Sequence, residues 1–385
     1  MLVYIPTIII SFICTWYATN FKEKYQISKK KFDLAMFFIL VALIFIILSF
    51  VSGTRYGIGQ DYFYTDNRVL NLLKEGYDIK FNEKIVTLIA KLIVVELKLP
   101  NYIYFIFFSI ITNLSYIIAI FINKKNQYFI QMFIYLFYYI YFNSFNQTRS
   151  SAAIALGILG FSIIFNYRNN VAILFGYNFA LIGALIHYSE IINVLIITLF
   201  ILIRHFSNKI KNDVIFIIGL IIVALTPIIF IILKYTINYI PILKNYAYYF
   251  NPNYDSSGTP LIKFLTSLFS FIIPIITLIF YLLNFTKTED YFLKFIGVIL
   301  IINMIFLTIG LLTNSLLLSD RLKSTLYAFE LFIIPYVYSK LPHNNQKYIY
   351  IYLIGVIMIV ITLSSLVPSI TYPYRSIFFK DIYIY

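Results

Sequence analysis

Apolar residues run along this chain in unbroken stretches separated by short polar connections. A helix that crosses a bilayer needs roughly 20 mostly apolar residues, and stretches of that length recur at 33–51, 102–122, 214–233, 261–283, 292–312 and 348–366. The apolar positions are continuous rather than alternating. Backbone groups in hydrocarbon must bond within their own segment, so the pattern predicts helices and not a barrel. The fold expected is all-α: a polytopic integral membrane protein with about twelve transmembrane helices, forming one membrane domain over residues 1–385. The spans are placed at 2–19, 33–51, 102–122, 128–145, 150–166, 171–187, 191–203, 214–234, 261–284, 292–313, 322–339 and 348–366. The pair 171–187 and 191–203 is short and turns tightly around 187–190, so a re-entrant pair is the alternative there.

One stretch breaks the pattern. Residues 82–99, NEKIVTLIAKLIVVELKL, carry Lys84, Lys91, Glu96 and Lys98 among apolar positions. That mixture reads as an amphipathic helix lying on or dipping into the outer interface rather than a span.

Composition and charge sharpen this picture. At 61% hydrophobic and 12% charged residues, the chain has more apolar material than a soluble core and surface require. The run 2–18 has no basic segment before it and Lys22, Lys24, Lys29, Lys30 and Lys31 after it, as a first span does and a signal peptide does not. One cysteine, Cys14, excludes an internal disulfide and any CxxC motif. The net charge of +14 sits mainly in short connections, which fits positive-inside bias rather than a nucleic-acid partner. Placing 21–32 inside puts 123–127, 167–170, 204–212, 285–291 and 340–347 inside as well, provided that 82–99 does not span.

On that topology the residues able to do chemistry face outward. The loop 55–68, RYGIGQDYFYTDNR, has nearly balanced charge, and Gly57 and Gly59 permit a tight backbone. The motif Asn146-Gln147-Thr148-Arg149 stands at the mouth of a helix rich in Ser, Ala and Gly, which suits close helix packing. His187, Ser189 and Glu190 cap the next hairpin, Ser319-Asp320-Arg321 opens a later span, and the tail carries Tyr372-Pro373-Tyr374-Arg375. Each feature alone has a plain structural reading: boundary arginines usually snorkel to headgroups, a lone histidine is usually packed, and Asp61, Asp66 and Asp78 can simply solvate a loop. Taken together, Arg55, Arg149 and Arg321 come from distant segments to one outer level. Three guanidiniums there would suit a phosphate-rich anion. His187, His205 and His343 are too dispersed to suggest a metal site, and no cofactor is expected. Most of the outer aromatics, including Tyr246, Tyr248, Tyr249 and Tyr254, read as interfacial belt residues, and the loop 236–260 reads as a lid.

The segments RYGIGQDY (55–62), FNQTRSSAAIALGI (145–158), ALIHYSEIINV (184–194), SDRLKSTLYAFELFIIP (319–335) and YPYRSIF (372–378) together resemble the EpsG-type polysaccharide polymerases, grouped with the Wzy-type O-antigen and capsule polymerases. The characteristic positions correspond to Arg55, Gly59, Asp61, Tyr62, Arg149, His187, Arg321 and Pro373-Tyr374; Gln60 departs from the small or hydroxylated residue common there. The resemblance implies glycosyl transfer at the outer face of the cytoplasmic membrane. The substrate would be an oligosaccharide repeat on undecaprenyl pyrophosphate, with a separate chain-length-determining co-polymerase and a flippase as partners and membrane lipid as the surroundings. A GT-C-like arrangement is the architecture expected.

Arg149 and Arg321, supported by Arg55, are assigned to the pyrophosphate, with Gly59, Tyr62 and Tyr374 supporting the site. His187 or Asp61 is assigned as base, and His187 is preferred. The rival functions are a flippase or transporter of the lipid-linked repeat, an O-antigen ligase and a membrane O-acyltransferase. Against the first, the chain shows no repeated halves and its distinctive residues lie on one side.

Overall fold

The computed structural model describes residues 3–59, 62–123, 127–137, 140–206, 290–313, 316–347, 349–351, 353–355 and 374–384, with isolated positions between 221 and 282. The chain forms two compact units, Met1–Leu195 with Ala328–Tyr385, and Ile196–Tyr327. The elements are α1 (Tyr4–Ser28), α2 (Lys31–Gly53), α3 (Arg68–Lys74), α4 (Lys84–Lys91), α5 (Tyr102–Phe121), α6 (Tyr128–Phe137), α7 (Ile140–Asn146), α8 (Thr148–Asn166), α9 (Asn170–Ile186), α10 (Ile191–Phe206), α11 (Tyr291–Thr313), α12 (Leu316–Lys340), β1 (Tyr374–Ser376) and β2 (Phe379–Ile384). Among the described residues, Lys31–Gly53, Tyr102–Phe121, Thr148–Asn166 and Tyr188–Phe206 are helices long and apolar enough to cross a membrane. Shorter apolar helices cover Asn170–Ile186 and Tyr291–Phe306. The expected spans 214–234, 261–284 and 348–366 and the expected lid 236–260 lie largely outside the described residues.

Within the first unit, packing follows from which residues are small and which are polar. Helices α8 and α9 run antiparallel and approach closely because glycine meets backbone: a Cβ at Gly160 would lie 2.3 Å from Gly176 O, and one at Gly183 would lie 2.6 Å from Ala153 O. Asn169 starts α9 by accepting a 2.8 Å hydrogen bond from Ala172 N, the usual N-cap device. Ser162 on α8 donates to Ala119 O of α5 at 2.9 Å. Buried polar side chains bind the other helices in the same way: Asn113 of α5 donates to Ser52 at 3.0 Å and accepts from Tyr135 of α6 at 2.8 Å. Pro335 in α12 has no N–H to offer the carbonyl of Leu331. The side chain of Gln131 donates to that oxygen at 2.9 Å, so the freed acceptor is satisfied from a neighbouring helix.

The amphipathic stretch forms α4 and continues as a π-helical turn over Leu92–Glu96, far too short to span. Its Val86, Thr87, Ala90, Ile93 and Val94 are buried, while Leu88, Leu92 and Leu97 are exposed. One face is therefore anchored in the protein, and a second apolar stripe faces outward.

Two details depart from expectation. The chain is mostly helical, as expected, with an exception in the tail, where β1 and β2 pair antiparallel, Tyr374 opposite Ile384 and Ser376 opposite Phe379. Arg55 forms an isolated antiparallel bridge to Ser376, so the loop after α2 adds to this ribbon. Second, helix α12 starts at Leu316, so Ser319-Asp320-Arg321 lies inside a helix and does not precede one.

Candidate functional site

The site lies at one end of the first unit, where α8 begins, α9 ends and α4 begins. Because α8 and α9 are antiparallel and closely packed, the start of one, Arg149, comes beside the end of the other, His187. Glu83, the residue before α4, has the extended backbone of an N-cap, yet its side chain makes no capping bond. It reaches across to both: Oε2 lies 2.8 Å from Arg149 Nη1, and Oε1 lies 2.8 Å from His187 Nδ1. Thr87 holds the turn from which Glu83 projects, accepting from Phe81 N at 3.0 Å and donating to Glu83 O at 3.2 Å.

Arg149 is held on a second side by Asp66, whose Oδ1 lies 3.2 Å from Nε. Asp66 comes from the π-helical turn Tyr62–Asn67. The Arg149 guanidinium also stands 4.8 Å from the centre of the Phe81 ring, a cation–π contact. Beneath these groups lies an apolar floor that includes Leu70, Phe81, Val86, Phe105, Ala152 and Ile186. A further carboxylate, Glu190, is buried below the hairpin and accepts from Asn193 Nδ2 at 3.0 Å and Ser150 Oγ at 3.4 Å.

Burial by itself would raise the Glu83 carboxyl. The His187 hydrogen bond and the Arg149 charge outweigh that and hold it below the usual carboxylate range. An ionised Glu83 accepts from His187 Nδ1–H, which leaves Nε2 as the nitrogen able to take a proton. Asp66 is 1% exposed, whereas the side chains of Arg149 and His187 are 16% and 20% exposed. The acids thus lie deep, and the guanidinium and imidazole reach the surface.

Arg55 lies in a different setting. It is buried, with Nε donating to Phe145 O at 3.1 Å and Nη2 donating to Thr148 Oγ1 at 2.7 Å and Ser144 O at 3.4 Å, while Nη1 donates to Ser52 O. The carbonyls belong to the last turns of α2 and α7, which lack helical partners and attract a cation. The ring of Phe105 lies 5.5 Å from the guanidinium and that of Phe145 5.6 Å from it. Burial pulls Arg55 down to about 10, which still leaves it charged at neutral pH.

Gly59 seats the same loop. Its φ is +94°, and a Cβ would lie 2.4 Å from Phe145 O and 2.8 Å from Asn146 Cα. Tyr62 stacks on Phe105 at 4.3 Å, and burial pushes its hydroxyl up to about 12. Tyr374 donates to Val51 O at 2.9 Å, while Tyr56 N donates to Arg375 O at 2.9 Å and Ile377 N to Thr54 O at 2.8 Å. Burial raises the Tyr374 hydroxyl as well. Arg55, Gly59 and Tyr374 therefore form a clamp that fixes the end of α2 against the turn leading into Arg149.

The structure brings Arg149 and His187 together through a carboxylate and places Arg55, Gly59, Tyr62 and Tyr374 around the supporting loop. Asp61 and Pro373 lie outside the described residues, and Arg321 lies near the start of α12. Sequence reasoning missed Glu83 and gave Asp66 only a solvating role. The available signal was a carboxylate immediately before an amphipathic helix, at a position where a shorter capping side chain is usual. Among the described residues no group of His, Cys, Asp and Glu is arranged to hold a metal ion. No curated protein and no solved structure matches the chain. The EpsG family model matches residues 38–376, which include the clamp, Glu83, Arg149 and His187. Matched over most of its length, and built from apolar helices able to cross a bilayer, the chain belongs to the EpsG family and is a membrane protein linked to polysaccharide synthesis.

Proposed function

We propose that the chain is a polymerase of polysaccharide repeat units, a glycosyltransferase that joins oligosaccharides carried on undecaprenyl pyrophosphate at the outer face of the cytoplasmic membrane. The observation that carries the reading is the contact of one carboxylate, Glu83, with both His187 and Arg149 at 2.8 Å. A transfer of this kind needs a base for the acceptor hydroxyl and positive charge for the departing pyrophosphate. The two lie side by side here.

In the proposed step the acceptor hydroxyl oxygen attacks the anomeric carbon of the growing chain. Its proton passes to His187 Nε2, the carbon–oxygen bond to pyrophosphate breaks, and the lipid pyrophosphate leaves. Glu83 fixes the imidazole with Nδ1 protonated and stabilises the imidazolium that forms, as the carboxylate of a Ser-His-Asp triad does for its histidine. Arg149 meets the charge that builds on the pyrophosphate. Arg321 is the second guanidinium assigned to it, on the strength of the sequence resemblance. Arg55 serves as a positioning residue, since its donors hold carbonyls rather than facing a ligand. Asp61 remains the alternative base.

An inside placement of the basic connections 21–32 and 167–170 supports an outward site, since Arg55, Arg149 and His187 lie at the opposite ends of the helices that those two connections join. A strain lacking the gene tests the function. A polymerase deletion leaves a single capping repeat on the cell surface, a flippase deletion leaves no surface glycan, and a ligase deletion leaves unattached long chains. Any outcome but the first would reject the polymerase reading.

A further inference from the structure

In the arrangement described, Arg149 is already held by two carboxylates, Glu83 at 2.8 Å and Asp66 at 3.2 Å. A hydroxyl in the same cluster has no hydrogen bond. Tyr104, in the first turn of α5, is fully buried, and its Oη has no hydrogen-bond partner among the described residues. Its ring stacks on Phe81 with centroids 5.9 Å apart and planes 7° apart, and Phe81 is the ring that carries the Arg149 guanidinium. The charges acting on this hydroxyl are those of Asp66, then Arg149, then Glu83. A buried polar group without a protein partner is rare in a native protein and calls for a bound water, a ligand or a second arrangement of its neighbours.

Electrostatics points to the second arrangement. An anion that approaches Arg149 meets a guanidinium whose charge two carboxylates already offset. To turn toward the anion, Arg149 must loosen one of them, and a buried carboxylate that loses its cation is stabilised by a further donor within reach. Glu83 keeps His187 as a partner in that event. Asp66 makes the longer contact with Arg149 and is the deeper acid.

We propose that Tyr104 is a positioning residue that donates to Asp66 when Arg149 turns to the phosphate oxygens of its ligand. The exchange transfers no proton: a hydrogen bond from a neutral phenol takes the place of the ion pair with the guanidinium at Asp66. It makes Arg149 selective for ligands anionic enough to draw it away, and keeps it paired when the site is empty. This inference rests on the reading of Arg149 as the pyrophosphate-binding residue.

The test is a calorimetric titration of purified full-length protein in detergent with inorganic pyrophosphate, comparing wild type, Tyr104→Phe, Asp66→Asn, the double variant and Arg149→Ala. Tyr104→Phe keeps the ring and removes only a hydroxyl that has no partner in the empty site, so its melting temperature should be no lower than that of wild type. Its affinity for pyrophosphate should fall about tenfold, the worth of one hydrogen bond to a charged group. In the Asp66→Asn background the same change should have little further effect, because a neutral amide released by Arg149 needs no charge-compensating donor. Unchanged affinity in Tyr104→Phe, fully additive effects of the two substitutions, or a lowered melting temperature would each overturn the exchange while leaving the Arg149 assignment intact. Absence of pyrophosphate binding by wild type, or unchanged binding by Arg149→Ala, would overturn that assignment and the exchange together.

Discussion

Glu83 Oε1 lies 2.8 Å from His187 Nδ1, although the two residues are 104 positions apart in the chain. The pair gives the imidazole a fixed tautomer and a fixed direction. Replacing Glu83 by Gln keeps the size of the side chain but removes the charge that favours an imidazolium. Polymer formation should fall by roughly tenfold or more, within the range that proton-transfer catalysis contributes. Glu83→Ala should in addition cost about 1–2 kcal/mol of stability by removing one of the two carboxylates that hold Arg149, which keeps Asp66 as its partner. Glycan yield per unit of membrane-inserted protein and thermal melting in detergent separate the two effects.

Gly59 is strained for any other residue on two counts, its positive φ and the 2.4 Å approach of a Cβ to Phe145 O. Gly59→Ala should destabilise the protein by roughly 1–3 kcal/mol and reduce activity through the displaced turn before Arg149. Gly76 also has a positive φ, +86°, but nothing lies within 4 Å of its Cβ position. Gly76→Ala should therefore be the milder change and leave activity intact. Equal losses from the two substitutions would contradict a clamp role for the loop.

The distance between Arg149 and His187 depends on how closely α8 approaches α9. A Cβ at Gly160 would lie 2.3 Å from Gly176 O, so Gly160→Ala must push the helices apart. The substitution lies well inside α8, distant along the helix from Arg149, yet it should lower activity at unchanged membrane abundance. Full activity would show that the site does not need the tight helix pair.

Much of this arrangement was legible from the order of residues. The apolar runs predicted the helices, and the charged 82–99 stretch was separated from the spans because a span there would put the basic Lys124–Lys125 connection outside. Arg149 opens one helix and His187 closes the next, an order that by itself makes their proximity plausible. Glu83 was not legible in this way, since its role depends on contacts 66 and 104 residues away that no local pattern encodes. Arg55 looked equivalent to Arg149 in sequence. Only the fold shows that one faces the open carbonyls of two helix ends and the other two carboxylates. The tail hairpin was missed because its strands are short, three and six residues, and because the bridge that ties it to the fold, Arg55 to Ser376, joins positions far apart in the chain.

Acid should act on the site through Glu83. Its carboxyl is held below the ordinary value of 4.5, so the stabilisation it provides is complete above that pH and is lost as pH falls through the lowered value. The melting temperature of wild type should therefore drop below about pH 4.5 more steeply than that of Glu83→Gln. Parallel curves for the two proteins would mean that Glu83 is not held ionised in the folded state.

The most direct measurement is chain extension by purified protein in liposomes supplied with the lipid-linked repeat, following polymer length and released lipid pyrophosphate for wild type, His187→Ala, Arg149→Ala and Arg321→Ala. The account predicts a ladder of polymers and equimolar lipid pyrophosphate per linkage from wild type, and at most traces of either from the three variants. A wild-type ladder matched by all three variants would contradict the site, and no ladder from folded wild-type protein would contradict the proposed reaction.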